Sequence, residues 1–201
     1  MRSTECRRDE GGFTLIELVV SSALTVLALG MVVSVLTSAQ TTEARVAGRS
    51  VNNDQARLAV NELDRQIRSA NLLYDPSTES PPYMSLLVYT QANSVERCVQ
   101  WQIQNEQLLT RSWSSTWQTD GLVSSWRVVA TNVVNEIVTP VVPAFALDTS
   151  QPTYGERILN IDLVVNDSTN PASAAELRAS VTGRNTEYGY PATVCATVPP
   201  G

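Results

Sequence analysis

The stretch Gly11-Gly12-Phe13-Thr14-Leu15-Ile16-Glu17-Leu18 opens an apolar run that continues to Leu36 and governs how the rest of the chain is read. Residues 13–36 carry a single charge, Glu17. At ~1.5 Å per residue, a helix of that length is about 36 Å long, enough to cross the ~30 Å hydrocarbon core of a bilayer. The residues before it are polar, with Arg2, Arg7 and Arg8 offset by Glu5, Asp9 and Glu10. A carboxylate inside an apolar segment is costly and usually answers a specific partner. An ordinary signal anchor explains the length of the run and leaves Glu17 without a purpose. A cleaved secretory signal has a shorter apolar run, of about 7–15 residues. Thr37-Ser38-Ala39 has the small residues of such a cleavage site, but the run before it is too long and is charged near its start.

The helical signal outlasts the apolar run. No proline occurs before Pro76, and residues 40–72 turn amphipathic. Ala56, Ala59, Val60, Leu63, Ile67 and Ala70 fall on one helical face. Asp64 and Arg68 at i,i+4, with Asp54–Arg57 and Glu62–Arg65 at i,i+3, are placed to pair on the other side. Asp75-Pro76 ends the pattern, because the residue before a proline is pushed out of the helical region. The expectation is a helix over 13–75, spanning a membrane over 13–36 and amphipathic beyond. A helix of about 60 residues is near 90 Å long. Gly30 and Gly48 are its weakest points.

Composition narrows the function. The 201 residues carry a net charge of −6, and all 14 basic residues are arginine, with no lysine and no histidine. An acidic chain without a basic cluster is a poor nucleic-acid binder, so no nucleic acid is expected as a partner. The absence of histidine removes the commonest general base and metal ligand. No G-x-S-x-G, P-loop, G-x-G-x-x-G or calcium-loop pattern is present. The expectation is therefore a protein that is not an enzyme, with no catalytic residue, no cofactor and no metal site. Cys6 precedes the apolar run, while Cys98 and Cys195 follow it. If the region beyond the run is exported to an oxidising compartment, Cys98–Cys195 is the available pair. The alternative is two buried free thiols.

Beyond residue 76 the chain reads as short strands. Pro76, Pro81 and Pro82 mark a loop, and apolar or alternating runs follow at 83–90, 97–103 and 107–112. Gln104-Asn105-Glu106 suggests a hairpin link, though it lacks glycine. Residues 158–166 and 176–183 form another expected strand pair, joined by a polar loop over 167–175, and 144–148 is one more candidate. Residues 122–138 are ambiguous: their apolar spacing fits a helix, yet their valines favour a strand. Trp101, Trp113, Trp117 and Trp126 lie close together in sequence. Such a cluster can line a sugar or peptide groove, but in a modest β domain it is more often core. The tail from Asn185 onward reads as loop, pinned to the second of these strands if Cys195 bonds Cys98.

The stretch from Gly11 to Leu18 resembles the class III signal of type IV pilins and type II secretion pseudopilins. The resemblance implies cleavage after Gly12 by a prepilin peptidase, N-methylation of the new terminus Phe13, and an assembly role for Glu17 as the acidic fifth residue of the mature chain. It also implies, as partners, other major and minor pilins or pseudopilins, an inner-membrane assembly platform, and membrane lipid before assembly. The implied location is the cytoplasmic membrane, single-pass with the head outside, and then a surface pilus or periplasmic pseudopilus. Leu63-Asp64-Arg65-Gln66-Ile67-Arg68-Ser69-Ala70 is similar to the helix end of J-type pseudopilins and PilW-like minor pilins, and Gln107-Leu108-Leu109-Thr110-Arg111 to their central hairpin. That likeness implies a minor subunit of an initiating or tip complex. A pseudopilin of a secretion or DNA-uptake machine is the nearest alternative, and a signal-anchored adhesin or carbohydrate-binding protein is the alternative from another class. The expected fold is α+β: a leader over 1–12, a long helix over 13–75, and an antiparallel β head over 76–201 against which the helix packs, as in the pilin fold.

Overall fold

The computed structural model describes residues 12, 14–91, 95–135, 140–150, 157–166, 174–184 and 190–200. The chain divides into two compact units, Met1–Ala44 and Arg45–Gly201. One helix, α1 (Leu15–Ser69), begins in the first and ends in the second. Within the second unit it is followed by antiparallel strands, so the chain is α+β as expected.

In the first unit the described part of α1 is exposed throughout. In the second, Ala56, Ala59, Leu63 and Ile67 are completely buried, the stripe that their spacing of three and four residues predicts. The ion pairs on the other side are only partly as expected. Arg68 Nε donates to Asp64 at 2.8 Å. Glu62, expected to pair with Arg65, is instead ion-paired to Arg127 on a strand.

The helix stops at Ser69, six residues short of the expected boundary, and the chain passes directly into β1 (Ala70–Leu73). The reason is the ladder with β2 (Ser85–Thr90), which takes up Ala70, Leu72 and Leu73 opposite Thr90, Tyr89 and Val88. A strand sends alternate side chains to opposite faces, and Leu73 joins the main core while Leu72 joins a second cluster on the far side of the sheet. The apolar spacing that carries the helix as far as Ile67 does not register this change.

The first sheet has the order β1-β2-β3-β4-β5, with β3 (Arg97–Gln104), β4 (Gln107–Trp113) and β5 (Arg127–Thr131). The β3–β4 hairpin closes through Gln104 opposite Gln107, with Asn105 and Glu106 at φ 50° and 59°. Two successive positive φ values are those of a type I′ turn, whose twist matches the strands it joins. Asparagine tolerates the first of them, and the turn forms without glycine at the second. The ambiguous stretch from 122 resolves to strand: β5 pairs with β4, Val123 bridges Trp113, and Val133 bridges Val165. Residues 136–138 of that stretch, and most of the loop expected over 167–175, lie outside the described residues. A one-turn helix, α2 (Trp117–Asp120), follows β4.

The second sheet has the order β6-β7-β8, with β6 (Phe145–Leu147), β7 (Ile158–Val165) and β8 (Ala175–Thr182). Its Phe145, Leu159, Ile161, Leu163 and Val181 share one core with Leu63 and Ile67 of the helix and Val88, Trp101 and Leu108 of the first sheet. Asn135 helps to tie the chain between the sheets to β7. Completely buried, it accepts from the Val164 N–H at 2.9 Å and donates to the Asp162 carbonyl at 2.6 Å. A buried amide used in both directions leaves no polar group stranded.

Candidate processing and assembly site

The start of α1 is organised by Thr14. Its hydroxyl oxygen accepts the backbone N–H of Glu17 at 3.3 Å, and its carbonyl accepts the N–H of Leu18 at 3.2 Å, the first bond of the helix. Thr14-Leu15-Ile16-Glu17 thus has the Thr-x-x-Glu spacing of a capping box, with the threonine closing one of the four orphan N–H groups of the helix start. Glu17 stands in the first turn, where a carboxylate also meets the positive end of the helix dipole. Thr14 was not singled out as functional from the sequence, although the Thr-x-x-Glu spacing itself is the signal for it. Gly12 is exposed, and a side chain built at this position meets nothing within 4 Å. Phe13 and Cys6 lie outside the described residues.

From Leu15 to Leu36 the helix shows an apolar surface interrupted by one charge, Glu17. Leu15, Ile16, Leu18, Leu24, Met31 and Leu36 are all more than half exposed. Four of its hydroxyls turn back onto their own helix. Ser21 donates to the Leu18 carbonyl, Ser22 to Val19, Thr25 to Ser21 and Thr37 to Ser34, at 2.7–3.1 Å. Hydroxyls bonded within the helix and an unbroken helical ladder suit a low-dielectric surrounding. An exposed apolar surface of this extent calls for lipid or for other helices around it.

Residues 7–33, which hold this glycine, the capping threonine, Glu17 and most of the apolar run, match the family described as the prokaryotic N-terminal methylation motif. The chain is type IV pilin-like. The motif implies processing of this pilin-like chain by a prepilin peptidase and assembly with other pilins, and with its long apolar helix the chain fits a membrane-anchored pilin. The same motif points to a family of structural subunits that are not enzymes. No curated protein and no solved structure matches the chain.

The head of the pilin-like chain has its own organising device on the far face of the first sheet. Cys98 of β3 and Cys195 are disulfide-bonded, with Cα atoms 5.7 Å apart and a separation of 97 positions in sequence. The bond lies in a buried cluster with Leu72, Leu87, Tyr89 and Trp113. Around it the tail is held at several further points. The Cys195 N–H donates to the Tyr74 hydroxyl at 3.0 Å, the Trp117 indole N–H to the Thr197 carbonyl at 3.0 Å, and the Tyr190 hydroxyl to Gln91 at 2.6 Å. Arg111 of β4 completes the set. Its guanidinium donates to the carbonyls of Pro199 and Pro200 at 2.8 and 3.1 Å and to the Gln100 side chain at 3.0 Å, and it lies 4.3 Å from the centre of the Trp126 ring. Burial pulls its pKa below the ordinary value, and its partners are neutral oxygens and indole faces in place of a carboxylate.

The tryptophans divide accordingly. Trp101 and Trp113 are completely buried, and the Trp101 N–H donates to Gln66 of α1 at 3.0 Å. Trp117 and Trp126 are half-buried over the tail and under Arg111. All four are committed to packing within the head.

Proposed function

We propose that this pilin-like chain is a minor pilin or pseudopilin subunit, cut after Gly12 by a prepilin peptidase, methylated on Phe13, and assembled through α1 in the initiating or tip complex of a type IV pilus or related filament. The observation that carries the reading is Glu17, the single carboxylate of an exposed apolar run over residues 15–36 and placed in the first turn of its helix. Cleavage creates a positive amine one turn before Glu17. In a bundle of apolar helices an unpaired carboxylate costs several kcal/mol, so docking is favoured in the register that brings Glu17 to the amine of a neighbour. Residues 1–12 act as the leader, 13–36 park in the cytoplasmic membrane before assembly, and the head outside it selects neighbours.

In this reading the assembly platform extracts the helix from lipid into the bundle, exchanging one apolar surrounding for another. The disulfide supports a head that matures outside the cytoplasm, where thiols are oxidised. The minor role rests on the likeness of residues 63–70 to the helix end of J-type pseudopilins and PilW-like subunits.

Glu17→Gln tests the assembly role. Glutamine keeps the capping-box chemistry of the helix start and removes the charge. The variant is expected to be processed and membrane-bound yet absent from sheared filaments; incorporation at the wild-type level contradicts the pairing role.

A further inference from the structure

A groove of about 1020 Å³ lies against the end of α1 and the β3–β5 side of the first sheet. Its volume is at the upper end of ligand-sized pockets. Arg65, Arg97 and Arg127 stand around it with Arg111 behind, and no carboxylate lines it among the described residues. Positive charge is thus concentrated here against the overall balance of −6.

The four arginines are not equivalent. Arg127 is held by Glu62, and Arg111 is consumed by the tail carbonyls. Arg65 and Arg97 are exposed and hold no ion pair among the described residues. Between them the wall is polar: the Gln66 oxygen takes the Trp101 N–H, which leaves the amide N–H groups of Gln66 as donors, and Ser69 and Thr90 share a hydroxyl contact of 3.0 Å. Ser124 and Ser125 close the far side. Among the described residues no aromatic ring lines the groove, so they offer no stacking platform of the kind single-stranded nucleic acids use.

We propose that this groove is a docking site for an extended acidic peptide segment of a partner protein. Two carboxylates of the segment meet the planar forks of Arg65 and Arg97, which match a carboxylate bidentately, and the backbone of the segment is met by Gln66 and the surrounding hydroxyls. The groove belongs to the head, and the proposal stands whether or not the chain is cleaved at Gly12.

The test uses the full chain in nonionic detergent and fluorescently labelled hexaglutamate, read by anisotropy, with hexaglutamine as the uncharged control. Hexaglutamate is expected to bind saturably and hexaglutamine not at all. The R65Q/R97Q double variant is expected to weaken binding by about tenfold or more. R45Q/R49Q removes the same charge from exposed positions earlier on α1 and is expected to leave binding unchanged. All four positions are exposed, and both doubles are expected to melt with the wild type. Absence of saturable binding overturns the proposal, as does equal weakening in the two doubles, which marks a nonspecific charge effect. Tighter binding of an oligogalacturonate than of hexaglutamate also overturns it, in favour of a sugar-acid site.

Discussion

The guanidinium of Arg111 donates to the carbonyl oxygen of Pro199 at 2.8 Å, joining the middle of the first sheet to the last residues of the chain. A charged donor held by neutral carbonyls inside a protein is costly to strand, so the two ends of this contact depend on each other.

Replacing Arg111 by methionine is therefore expected to lower the stability of the head by about 1.5–3 kcal/mol, the usual range for hydrogen bonds to a charged group. Lysine does not restore it, because a point ammonium cannot reproduce the fork that serves Gln100, Pro199 and Pro200 together. Thermal unfolding of the full chain in detergent reads both variants; a lysine variant as stable as the wild type contradicts the clamp.

Loss of the disulfide acts through the unfolded chain. Cys98 and Cys195 close a loop of nearly 100 residues, worth up to ~4–5 kcal/mol in chain-entropy terms. The C98A/C195A variant, or the reduced wild type, is expected to melt well below the oxidised protein. Unchanged melting in reductant means that the tail's hydrogen bonds hold the head without the bond.

Leu63 and Leu58 separate the two faces of the amphipathic helix. Leu63 is completely buried against the sheets and Leu58 is 67% exposed. Leu63→Ala is expected to cost about 2–5 kcal/mol of stability. Leu58→Ala is expected to change it by no more than about 0.5 kcal/mol. Equal effects place the helix differently on the head.

The carboxyl of Glu79 gives the head a pH dependence of known sign. Burial raises its pKa above the ordinary value, and the nearby charge of Asp75 adds to the rise. Between the ordinary and the raised value the folded chain still holds a proton that the unfolded chain has released, so this group's contribution to stability falls as pH rises through that window. Glu79→Gln is expected to melt above the wild type at pH 7. The difference disappears below about pH 3.5, where the carboxyl is protonated in both states. A constant difference across that range contradicts the assignment.

Much of this architecture is written in periodicity. The stripe from Ala56 to Ile67, the runs at β2, β3, β4, β7 and β8, and the Cys98–Cys195 pair are each legible because a spacing or a compartment argument restricts them. What escaped was decided by distant partners. Ala70 to Leu73 leave the helix because β2 pairs with them, Glu62 turns from its helical neighbour Arg65 to Arg127, and Arg111 finds carbonyls 88 and 89 residues away. At the candidate site the motif is read directly from Gly12 to Glu17. The capping part played by Thr14 is equally local, and its Thr-x-x-Glu spacing is overlooked only because the acidic residue invites an intersubunit explanation first.

The most direct test of the central claim is the mass and N-terminal sequence of the protein recovered from its own cells. A chain that begins at Phe13, heavier by one methyl group and lighter by the two hydrogens of the Cys98–Cys195 bond, is the predicted result. A chain that begins at Gln40 or retains Met1 contradicts processing as a pilin.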